Sequence, residues 1–99
     1  HSKILISEAV YFALSDPSGW QARPVDRVEI GDRVSFLFEV YSTEPDDIRE
    51  LKWKTQDDLE HAVFSWFSGQ HDEARVFLTR VLSVFPEDPV AKYYETRLS

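Results

Sequence analysis

From Val34 to Tyr41 apolar and polar positions alternate. Val34, Phe36, Phe38 and Val40 fall on one side, and Ser35, Leu37, Glu39 and Tyr41 on the other. That period of two predicts a half-buried strand. Val25–Ile30 reads as its partner, and Gly31-Asp32 between them suits a two-residue hairpin turn needing φ > 0 at its first central position. Before the hairpin, Lys3–Ser7 is a short, continuous apolar run, the pattern of a strand buried on both faces. Ser7 caps a short helix over Glu8–Leu14, and Asp16-Pro-Ser-Gly19 carries the chemistry of a turn.

After Tyr41 the period changes to that of helices. Ser42–Asp47 is polar, and Pro45 opposes helix at Glu44. Asp47 is the expected cap of a short helix carrying Ile48, Leu51 and Trp53. Thr55 with Asp58 three residues later resembles a capping box and predicts a new helix to about Ser68. Its apolar positions Leu59, Ala62, Val63, Trp66 and Phe67 make one stripe. Gly69 ends it. A second helix over His71–Phe85 repeats the pattern with Ala74, Phe77, Leu78, Val81, Leu82 and Phe85, and Pro86 stops it. Asp88 as cap and Pro89 at the first helical position open a last helix carrying Val90, Tyr93, Tyr94 and Leu98. The expected class is α+β: a short strand, a helix and a β-hairpin over 1–41, a linker with a short helix over 42–54, and a helical hairpin with a capping helix over 55–99.

Charge and composition narrow the partners. The formal net charge is −7, which disfavours a phosphate backbone and argues against nucleic acid. The chain has no cysteine, so disulfide frameworks and thiolate metal sites are excluded, in keeping with a reducing compartment. No apolar run approaches the roughly 20 residues of a membrane span, so this segment is expected to make no membrane contact and to be cytoplasmic, on its own or as the cytoplasmic part of an anchored parent. Methionine is absent and the chain opens His1-Ser2, which suggests an expression remnant ahead of a fragment.

Three segments in order, Ile4-Leu-Ile-Ser-Glu8 with Tyr11 and Leu14, then Arg23-Pro-Val-Asp-Arg-Val28, then Phe38-Glu-Val-Tyr41, resemble the closing part of class III nucleotidyl cyclase domains. The spacing of Gly69, Ala74 and Pro86 resembles one tetratricopeptide repeat. Bacterial cyclases of this class with such a tail are similar over Ile48-Arg-Glu-Leu-Lys52, Lys54-Thr55, Ala62, Gly69, Glu73-Ala74, Val81-Leu82, Pro86, Asp88, Ala91, Tyr94 and Arg97. The resemblance implies a signalling parent, a lyase that makes a cyclic nucleotide and pyrophosphate from ATP or GTP with two Mg or Mn ions, as a dimer. The family's metal-binding aspartates and its base-selecting and transition-state residues belong to segments before the first of these words. No catalytic residue and no metal or other cofactor is therefore assigned to this chain. The rival reading is a stand-alone helical interaction adaptor with a small β-lid.

One phosphate-contacting lysine of the family belongs to the hairpin turn. Here the turn is Glu29-Ile-Gly-Asp-Arg33, shorter and without lysine, so Arg33 is the candidate phosphate contact, with Asp32 beside it opposing an anion. Asp46-Asp47, Asp57-Asp58 and Glu87-Asp88 each stand at an expected helix start, where capping outweighs metal or acid–base roles. His61 and His71 lack the spacing of metal ligands. Trp53 and Phe64 fall off the apolar stripes and are candidates for an exposed partner-binding patch. A homodimer is expected, built through the edge of Lys3–Ser7. The competing arrangement pairs that strand with its own hairpin while the helical tail folds back over the sheet.

Overall fold

A computed structural model describes residues 4–13 and 21–98, and the expected turn at Asp16-Pro-Ser-Gly19 lies outside them. The elements are β1 (Ile4–Ser7), α1 (Glu8–Ala13), β2 (Ala22–Ile30), β3 (Arg33–Val40), α2 (Asp46–Phe67), α3 (His71–Val84) and α4 (Pro89–Leu98). This is the mixed α+β class that the alternating and helical periods predict. The chain divides into two units, His1–Arg49 and Glu50–Ser99.

In the first unit the strands form one antiparallel sheet in the order β1-β3-β2. Gly31 supplies the positive φ of the hairpin turn, at +65°, a conformation any Cβ disfavours. Ile30 pairs with Arg33 across it. β1 pairs with β3 of its own hairpin, with Ile4 opposite Val40 and Ile6 opposite Phe38. One sheet face builds the core of this unit from Ala22, Phe38 and Val40, with Ile6, Phe36 and Tyr11 packed against them. Helix α1 delivers Tyr11, whose ring stacks on Phe38 at 4.3 Å between centroids. A shift in register between Pro24 and Asp26 marks a bulge at Val25, which turns the remainder of β2 relative to its partner.

The helical half differs from expectation at one place. The short helix after Asp47 and the helix opening at Thr55 are a single α-helix, Asp46–Phe67. Thr55 does not cap: its hydroxyl donates to the Leu51 carbonyl at 2.8 Å, a bond one turn back that only an uninterrupted helix offers. The start lies at Pro45, whose carbonyl accepts from the Arg49 amide at 2.9 Å. Asp57 and Asp58 consequently sit in a helix interior and cap nothing.

The other boundaries follow local chemistry. Gly69, at φ +81°, closes α2: its amide donates to Trp66 at 3.2 Å and the Gln70 amide to Ser65 at 2.9 Å, the paired bonds of a Schellman motif. The Asp88 carboxylate accepts from the Val90 amide at 3.0 Å, so Asp88 caps α4 with Pro89 in the position where a missing N–H costs nothing. In the second unit Leu59, Ala62, Val63, Ala74, Leu78, Val81, Phe85 and Tyr94 are buried, as the stripes require, and Ala91 is buried as well. Trp66 and Phe67 are half-buried and meet Tyr94 edge-on at 5.6 and 6.2 Å. Tyr93, expected on the packed side of α4, is instead exposed, with the Arg97 guanidinium 5.4 Å from its ring centre.

Candidate functional site

The register places the three motif words on consecutive rungs of one sheet. Leu5, Glu39 and Arg23 share a rung, and Ile6, Phe38 and Pro24 share the next. Arg23 and Glu39 are 0% and 1% exposed, and the Arg23 Nε–H donates to Glu39 Oε1 at 2.8 Å. Alternation alone puts both residues on the polar face of the hairpin, so nothing in the sequence marks them as buried. Each charge of the pair is desolvated and held by the other.

Arg33 stands exposed at the first position of β3, on the rim of a depression of about 330 Å³ lined by Ser7, Glu8, Ala9, Phe12, Arg33, Val34 and Ser35. The wall is built by hydrogen bonds between the start of α1 and the middle of β3. The Glu8 amide donates to Ser35 Oγ at 3.3 Å, the Phe36 amide donates to Glu8 Oε1 at 3.2 Å, and Ser7 Oγ accepts from the Val10 amide at 3.2 Å. A carboxylate thus shares the depression with Arg33, and Phe12 and Val34 line the remainder with apolar surface. A triphosphate needs concentrated positive charge, and this depression is lined by one guanidinium and one carboxylate.

The second locus is on α2, within the second unit. Trp53 is 60% exposed and Phe64 41%. Residues 53, 57, 60 and 64 recur at i, i+4, i+7 and i+11, so Trp53, Asp57, Glu60 and Phe64 lie along one helix face. Asp57, Glu60, His61 and Phe64 border a shallow concavity of about 360 Å³. The sequence pattern singles out the two aromatics and misses the acids between them, because a capping role at Thr55 had absorbed Asp57. Burial raises the carboxyl of Glu60 above its ordinary titration range; a hydrogen bond from Gln56 opposes the rise, Asp57 adds to it, and His61 opposes it. The ordinary value of an acid is lower in the unfolded chain, so folded Glu60 holds its proton to higher pH and its ionisation opposes folding. Stability contributed by Glu60 is therefore present at acid pH and falls as pH rises through the raised value. Glu60→Gln is expected to flatten this part of the stability–pH profile and to leave stability at neutral pH unchanged or slightly higher, as measured by urea denaturation at a series of pH values.

The remaining candidates are partnered structurally. His61 stacks on Phe77 at 4.4 Å and His71 on Trp66 at 4.5 Å. Asp58 lies 3.8 Å from Arg80, Asp46 pairs with Arg49, and Glu87 pairs with Lys92 at 3.0 Å. No group of three or more His, Cys, Asp or Glu suited to a metal occurs among the described residues. No helix among them is long and apolar enough to cross a membrane. Compared with family models, with curated proteins and with solved structures, the chain matches none.

Proposed function

We propose that this chain is a non-catalytic contact segment of a class III nucleotidyl cyclase-like signalling protein, acting in the cytoplasm. Its sheet is the closing part of a cyclase-like catalytic domain, and its tetratricopeptide-like helices engage a protein partner. The observation that carries the reading is the meeting of all three motif words on adjacent rungs of one sheet. There Arg23, Pro24, Phe38 and Glu39 are buried, committed to packing rather than open to a substrate. In the parent, the other strands of the catalytic domain and a second protomer would add at the sheet edges, where β1 and β2 lie. The parent's Mg or Mn chemistry belongs to residues outside the three words, and Arg33 is at most an accessory phosphate contact. The exposed Trp53 and Phe64 support the contact role of the tail.

The test is an assay of this chain with ATP or GTP and Mn²⁺. No cyclic nucleotide is expected, because nothing assigned to the chain would clamp two metals against a triphosphate. Product above background that survives re-purification would overturn the reading.

A second reading, the stand-alone adaptor, draws on the compact unit that residues 50–99 form, in which Leu59, Val63, Leu78 and Val81 are buried. The two readings differ in the coding sequence upstream. A cyclase parent encodes a Gly-Asp-x-Val-Asn-x-x-x-Arg-like segment there, and an adaptor does not.

A further inference from the structure

We propose that the α2 face from Trp53 to Phe64 docks a basic amphipathic helix of a partner protein, one that presents Lys or Arg beside apolar side chains. The proposal rests on the contact role proposed above and names the partner's chemistry.

Geometry fixes the size of the occupant. Phe64 lies eleven positions after Trp53, about 16 Å along the helix axis, the length of three turns of a partner helix. Two aromatic side chains at the ends of such a face are the anchors that an apolar stripe fills. Between them Asp57 and Glu60 project from the same face, and with His61 and Phe64 they border the concavity. Among the described residues no Lys or Arg forms an ion pair with either carboxylate. Lys54 pairs with Glu50 at 3.4 Å and Arg80 with Asp58 at 3.8 Å.

Charge selects the partner. Glu60 is half-buried and its ionised form is disfavoured by desolvation and by Asp57; an incoming ammonium or guanidinium offsets both with an opposite charge. The chain's net charge of −7 steers basic segments toward it and repels acidic ones. A second copy of this chain would bring the same two carboxylates face to face, and an anionic membrane would meet like charge. Both are disfavoured at this face.

The experiment is calorimetric titration of the whole chain with three synthetic 18-residue amphipathic helices, one of Leu and Lys, one of Leu and Gln, and one of Leu and Glu. The Lys peptide is expected to bind about tenfold or more tightly than the other two, and to weaken as salt rises. Trp53→Ala with Phe64→Ala is expected to weaken it about tenfold or more, as loss of two anchors does. Asp57→Asn with Glu60→Gln should weaken it about fivefold or more. The control Asp47→Asn with Glu73→Gln makes the same change in net charge at exposed sites elsewhere and should leave the affinity within about twofold. Far-ultraviolet circular dichroism checks that each variant is folded. Equal binding of the Gln peptide, lost with Trp53 and Phe64, would keep the contact face and overturn its basic partner. No binding of the Lys peptide, or equal losses in the acid pair and the control pair, would also overturn the proposal. None of these results alters the expectation about cyclase activity.

Discussion

Leu78→Ala is expected to lower the unfolding free energy by about 2–5 kcal/mol, the range for removing three buried carbons and leaving part of their volume empty. Leu78 is 2% exposed, and the residues one turn away on the same side of α3, Ala74 and Val81, are fully buried. Ala74 leaves no long side chain to swing into the gap. Val81 is β-branched and has little rotamer freedom in a helix, so the site collapses poorly and the cost belongs in the upper part of the range. A domain of this size has only about 5–15 kcal/mol to lose. Denaturation by guanidinium chloride, followed by helical circular dichroism, measures the loss. The midpoint should move with little change in slope, and a loss below about 0.5 kcal/mol would mean that α3 presents a different face to its core. Val76→Ala, at an exposed position of the same helix, should change stability by less than about 0.5 kcal/mol.

The second large effect is expected at the buried pair in the sheet. Glu39→Ala leaves the Arg23 guanidinium desolvated without its carboxylate, and Arg23→Ala leaves the reverse. Each is expected to cost about 3–5 kcal/mol, the range for breaking a buried ion pair from one side. Replacing both, as Arg23→Met with Glu39→Leu, removes two desolvation penalties together with their attraction and should come within about 1–2 kcal/mol of the parent chain. The pair stands on one of the rungs that join all three strands, so the local readout is hydrogen exchange at the β3 amides, which should accelerate in each single variant and recover in the double. If each single variant is as stable as the parent chain, breaking the pair from one side costs nothing and the sheet is held by its apolar face alone.

How far such features are legible in a sequence depends on whether their cause is local. The hairpin is local: Gly31 takes the positive φ the turn requires, and the alternation from Val34 to Val40 selects the face that meets Tyr11. The ends of α2, α3 and α4 are local too, because Gly69, Pro86, Asp88 and Pro89 act on the backbone within one turn of themselves. The same reasoning failed at Thr55. Its hydroxyl has two local uses, capping a new helix or bonding back to the previous turn, and the residues nearby permit either. The absence of glycine or proline between Asp46 and Phe67 was the signal for the second, since no residue there interrupts the backbone hydrogen bonds.

The amino-acid sequence by itself determined the α+β class, the hairpin, the helical stripes and the exposure of Trp53 and Phe64, because each follows from period and capping chemistry. Only the tertiary structure decided that β1 joins β3 rather than waiting for another strand, since two edges of equal backbone chemistry differ only in what folds beside them. It also decided that Arg23 and Glu39 are buried across from one another, that Tyr94 rather than Tyr93 turns inward, and that Asp57 and Glu60 share a face with two exposed aromatics. These are properties of pairs brought together by register and helix phase. A polar residue's own identity does not say whether its neighbour across the sheet is water or the opposite charge.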